Sequence, residues 1–319
     1  MNSNDRIELF EKMPVKRAVI KQIMPAVAAQ MVAVIYSLAD TYFVGMLNSP
    51  AQTAAVTVVA PCFIMLTAVA NLFGVGGSSL IARKLGQHLE QEAREVSSVT
   101  FWWGLISALA FCLLFTAFEK PILNLCGADI QSFGYALSYA RWAVVFGGVF
   151  TISASVSANI IRAEGSAGTA SRGLALGGIL NIVLDPLFIL PQFLDMGAEG
   201  AGLATALSNV VSALFLLVCL IRRRQSVVCI DPILIRSTRN HIKSILSIGF
   251  ASAIQLALTM VGVAAQAKFV SAYTTEAVAA LGIVKKLDQL PLYFTIGVSV
   301  GLLPMLAYNH AAGNERRLK

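Results

Sequence analysis

The run length of the apolar stretches limits this chain more than any other feature. Eight of them exceed the roughly 20 residues that an α-helix needs to cross a ~30 Å hydrocarbon core. They cover about 18–46, 52–85, 95–118, 132–162, 168–191, 199–222, 243–272 and 276–310. In lipid, every backbone polar group must be satisfied by the protein itself, so only helices and closed barrels span it. These stretches lack the alternating ten-residue pattern of barrel strands. The sequence therefore predicts an all-α polytopic membrane protein of eight transmembrane helices. Only 13% of the residues are charged, against about 25% in a soluble domain.

The breaks between segments are short and polar: "LNSPAQT", "GQHLEQEARE", "RAEGSAG", "PQFLDMGAEG" and "YTTE". "RAEG" at 162–165 reads as a helix end with Arg162 and Glu164 in solvent. Pro25, Pro61, Pro186, Pro291 and Pro304 fall in or near spans, where a missing N–H kinks a helix and frees a carbonyl.

Charge then gives orientation. The N-terminus, the even-numbered loops and the C-terminus together hold 19 of the 24 basic residues, including the triple arginine 222–224, while the four odd-numbered loops hold only Lys120. By the positive-inside rule the even loops and both termini are cytoplasmic. The net charge of +7 is thus a topology signal, spread over loops, and no nucleic-acid partner is implied. Residues 1–21 lack the h-region and cleavage site of a signal peptide. The five cysteines show no metal spacing and are expected to pack as apolar residues.

A repeat is visible at an offset of 225. "IKQIMPAVAAQ" (20–30) lies over "ILSIGFASAIQ" (245–255), and the same offset pairs Gly76 with Gly301 and Glu90 with Glu315. Copies six spans apart have the same orientation, so a pseudo-two-fold along the membrane normal is expected. This divides the chain into a cytoplasmic segment (1–17), a complete six-helix bundle (18–224), a cytoplasmic linker (225–242) and the first two helices of a second bundle (243–319). A whole second copy needs about as many residues as the first, so a C-terminal truncation is expected.

Ionisable residues inside lipid are costly, about 2.5–3.5 kcal/mol at a helix centre on insertion scales. "AVIYSLADTYFVG" carries Asp40 in helix 1, and "GILNIVLDPLFIL" carries Asn181 and Asp185 one turn apart in helix 5. Thr205 in helix 6 adds a hydroxyl. Together these are hard oxygen ligands suited to Na⁺ or a proton; the competing reading is helix-to-helix glue. Under the offset, Asp40 falls on Ala265, which places ion coupling in the first copy. Tyr36, Gln255, Lys285 and Asp288 are weaker candidates for a substrate cavity, the last two being equally readable as an i,i+3 ion pair. "GVGGSSLIARKLG" (74–86) has no preceding strand and no GK[ST], so it reads as close helix packing and not a phosphate loop.

These stretches, "YSLADTYFVG", "GVGGSSLIARKLGQ", "RAEGSAGTA", "LNIVLDPLFI" and "YNHAAGNERR", resemble the MATE (multidrug and toxic compound extrusion) family in its bacterial branch. The resemblance implies a multi-pass protein of the bacterial inner membrane, a twelve-helix antiporter of two bundles whose helices 9 to 12 have no counterpart here. It implies export of small amphiphilic or cationic molecules against Na⁺ or H⁺, with no other cofactor and no obligate protein partner. Asp40, Asn181, Asp185 and Thr205 match the family's cation site; Gln255 and the Lys285/Lys286 region match more variable second-half positions. The alternatives are a flippase for a lipid-linked precursor, a non-functional fragment of the exporter, or an intramembrane aspartyl protease. The protease reading fails for want of a GxGD motif beside either aspartate.

Overall fold

The computed structural model describes residues 3–128, 130–222, 226–271 and 275–318, and over 260–287 most side chains fall outside that description. Eight long helices follow one another: α1 (Val15–Gly45), α2 (Pro50–Gly86), α3 (Glu90–Leu125), α4 (Phe133–Ala163), α5 (Ala167–Ile189), α6 (Gly197–Arg222), α7 (Thr238–Ser271) and α8 (Thr275–Ala311). Each contains a window apolar enough to cross a membrane, and no strand occurs among the described residues. The fold class read from the sequence is the one observed.

The helices outrun the apolar windows where charged residues continue them. The clearest case is α3, expected over 95–118. It starts at Glu90, with Glu90 and Glu92 in a first turn that lies beyond the apolar window. At its other end it runs past Phe118, whose φ of −120° and ψ of 20° mark a kink just before Pro121, the residue that cannot donate into the preceding turn. In α4 a π-helical stretch, Arg141–Phe146, interrupts the regular helix. Arg141 pairs bidentately with Glu119 of α3 at 2.7 and 3.2 Å.

Lipid offers no hydrophobic drive for helix association, so close approach by small residues does that work. The glycines of "GVGGSSLIARKLG" behave as expected: Cβ atoms at Gly74 and Gly77 would run into Asn159 and Thr100. The helices paired by the offset of 225 exchange partners in the packing: α1 lies on α8 and α2 lies on α7. Gly76 of α2 meets the α7 backbone at Ile245 and Gly249, and its repeat mate Gly301 of α8 meets α1, with a built Cβ 2.9 Å from the Cα of Ile23.

Three polar features differ from expectation at the end of the bundle that carries the basic loops. Residues before α1 form a short α turn (Ser3–Ile7) and a π turn (Glu8–Lys12). Leu9 and Phe10 are buried, and Phe10 stacks on Tyr308 with ring centroids 4.8 Å apart. The linker contains a 3₁₀ turn (Pro232–Ser237), and α7 begins at Thr238, five residues before the expected start. Arg162 and Glu164, expected in solvent, are 5% and 0% exposed. Hydropathy registers their charge and not the segments that fold over them.

Candidate functional site

Two adjacent glycines set the site's geometry. Gly177 and Gly178 of α5 face α6 and α1: built Cβ atoms would stand 3.0 Å from Ser212 Cβ and 2.8 Å from Val32 Cγ1. With no side chain there, three helices converge within a turn of Asn181. Gly202 does the same for α6 against α4, its built Cβ lying 2.8 Å from the Tyr139 carbonyl oxygen.

Asn181 and Asp185 then project from α5 into the interior, 2% and 0% exposed. Asn181 Nδ2 donates to Asp185 Oδ1 at 3.1 Å. Asn181 Oδ1 and Asp185 Oδ2 are shielded from solvent and have no hydrogen-bond partner. An unmatched buried acceptor costs about 1–3 kcal/mol, more when charged, so this pair holds an unmet demand for a proton or another donor inside the bundle. Asp40 of α1 is within electrostatic reach of Asp185, and its Oδ1 is likewise shielded. Both carboxylates act on Tyr36 and on Tyr139, and Tyr139 shares a side-chain hydrogen bond with Thr205.

A cavity of about 270 Å³ opens beside this cluster. Tyr36, Asn181, Thr205, Ser208, Asn209 and Tyr293 are among its walls, so α1, α5, α6 and α8 all contribute. Asn209 is held by a hydrogen bond from its Nδ2 to Thr151 Oγ1 at 2.8 Å.

The structure thus brings together Asp40, Asn181, Asp185, Thr205 and Tyr36 from three separate helices. It adds Tyr139, which the sequence does not single out. An aromatic residue in an apolar helix carries no local signal, and only its hydroxyl partner reveals it. Gln255 and Asp288 are exposed and do not line the cavity. The side chains of Lys268, Lys285 and Lys286, and residues Arg223 and Arg224, lie outside the described residues. Among the described residues no group of three or more His, Cys, Asp or Glu could hold a metal ion. The donor set at Asp185 is oxygen only, with two carboxylates and an amide oxygen, which suits a hard monovalent cation or a proton and not a softer metal.

Eight membrane-length helices, with a cavity between them beside the buried Asp185, define a polytopic membrane protein with a polar interior site. The MatE family model matches residues 25–187, just over half of the chain. The chain belongs to the MATE family, whose members are membrane transporters and not enzymes. It is 28% identical over 313 residues to the multidrug export protein MepA of Staphylococcus saprophyticus, covering 98% of this chain and 68% of that protein. It is 29% identical to the protein of the same name from Staphylococcus aureus, covering 99% and 69%. Among solved structures it is similar to an outward-facing multidrug resistance MATE family transporter of the MOP superfamily. The TM-score is 0.89 at 28% identity, over 98% of this chain and 68% of that one.

Proposed function

We propose that the protein works in secondary-active multidrug efflux from the bacterial cell, exchanging small amphiphilic or cationic molecules for Na⁺ or H⁺. The first six helices form the ion-binding bundle, with both termini in the cytoplasm as the basic loops imply. The observation that carries this reading is the pair of buried, unpartnered oxygens on Asn181 and Asp185, within electrostatic reach of Asp40 and beside a cavity that Asn181 lines. The staphylococcal relatives, both multidrug export proteins, support it.

Asp40 and Asp185 bring two acidic groups together in low dielectric, where like charges repel strongly. Holding one proton or one Na⁺ between them relieves that repulsion and lets α1 close on α5; empty, they push α1 away. A ligand shifts a two-state equilibrium only through such differential binding. Asn181 orients Asp185, Thr205 lines the approach with Tyr139 buried against it, and the acids attract cationic substrates. A flippase for a pyrophosphate-linked lipid needs a basic cavity, and among the described residues no lysine or arginine lines this one.

The test is efflux from proteoliposomes under imposed Na⁺ or H⁺ gradients, with Asp40→Asn alongside the wild type. The wild type should respond to one gradient and the variant to neither, at equal membrane insertion. Gradient-driven efflux at the wild-type rate in Asp40→Asn would refute the coupling role.

A further inference from the structure

Glu164 sits in the turn between α4 and α5 with 0% exposure, outside the ion site and far along the sequence from the linker that follows α6. Its carboxylate nevertheless grips that linker. Oε1 accepts from the backbone N–H of Val227 at 2.7 Å, and Oε2 accepts from Ser226 Oγ at 2.7 Å. Hydrogen bonds to an ionised acceptor are roughly twice as strong as neutral ones, and a buried carboxylate depends on them.

The grip continues along the linker. Val227 and Val228 are 8% and 2% exposed and belong to the main apolar core. Ser97 Oγ accepts from Cys229 N–H at 3.0 Å, Trp102 Nε1 donates to the Ile230 carbonyl at 3.2 Å, and Trp103 Nε1 donates to Thr238 Oγ1 at 3.0 Å. All of these partners belong to α3. Thr238 is the first residue of α7. A connection between two repeats would ordinarily be a loose tether over the surface; this one is fastened to the first six helices from Ser226 to the opening of α7.

We propose that Glu164 is a positioning residue that turns the inter-repeat linker into a fixed strut, which sets where the second copy's first helix enters the membrane. Only the bearing of this on transport rests on the exporter reading, since the two copies would then have to move around a strut that stays with the first.

Hydrogen–deuterium exchange of the full-length protein in detergent or nanodiscs, without substrate or gradient, tests it and does not depend on whether the ion site couples transport. In the wild type, amides 226–230 should exchange slowly. Glu164→Ala should raise their exchange about tenfold or more, while α2 and α4 keep wild-type protection. Glu164→Gln should restore most of the protection, because its carboxamide still accepts from Val227 and can donate to Ser226. Ser226→Ala, which leaves the α4–α5 turn intact, should give a smaller rise confined to the same amides. Unchanged exchange over 226–230 in both alanine variants would overturn the proposal. So would a Glu164→Gln protein that behaves like Glu164→Ala, or a rise in Glu164→Ala that spreads through α2 and α4 while Ser226→Ala matches the wild type.

Discussion

Asn181 donates its side-chain amide to Asp185 Oδ1 across 3.1 Å, one turn away on the same helix, and thereby fixes which carboxylate oxygen stays unpaired. Hydrogen bonds to charged groups contribute about 1.5–3 kcal/mol. Asn181→Leu keeps the volume and removes both the donor and the amide oxygen. Gradient-driven efflux should fall about tenfold or more, with membrane abundance unchanged on immunoblots. Wild-type efflux from this variant would remove Asn181 from the ion site.

Tyr139→Phe separates a hydroxyl from its ring. The ring is 3% exposed and packs edge-on against Phe63, with centroids 6.2 Å apart, so the fold should tolerate the change. Losing the bond to Thr205 should slow efflux roughly two- to tenfold, as for one net hydrogen bond. Thr205→Val should do the same, and the double variant should be no worse than either single one. Additive losses in that double-mutant cycle would mean the two residues act separately.

The α2–α7 crossing makes a stability prediction. A Cβ at Gly249 would overlap the Leu72 carbonyl oxygen, whereas Gly45 has nothing within 4 Å of where its Cβ would stand. Gly249→Val should destabilise the protein by about 1–3 kcal/mol or more through overpacking, seen as a lower unfolding temperature in detergent. Gly45→Ala should leave that temperature unchanged or slightly higher. Equal midpoints for the two variants would mean that the helices do not approach this closely.

Phe10 gives the clearest readout for the segment before α1. Its ring is fully buried and touches Tyr308 and the turn at Gly165. Phe10→Ala should cost about 3–5 kcal/mol, as buried Phe→Ala changes do. If this segment were a loose tail, the same substitution would leave thermal unfolding untouched.

The helices were legible because hydropathy and positive-inside bias respond to the membrane itself, and the Asp40/Asn181/Asp185 cluster was legible because polar residues in lipid stand out. What the sequence hid has one cause in each case. Tyr139 is hidden because its ring looks like any apolar filler, and its role lies in a hydroxyl that meets another helix. Glu164 was misread because a charge at a helix end is ordinarily solvated, and the residues that cover it come 62 and 63 positions later. The outer extent of α3 was missed because apolarity marks where lipid is and says nothing of a helix that continues into water. Local pattern carried the fold; contacts between distant parts of the chain carried the rest.

The exchange of partners between the copies, α1 on α8 and α2 on α7, has a mechanical result. Each copy's leading pair of helices rests on the other copy's pair across faces stripped of side chains at Gly76 and Gly301, so no interlocking teeth resist sliding there. Any tilt of α1 would therefore be handed to α8 as shear along that seam, and the matching contact of α2 on α7 would pass on a tilt of α2 in the same way.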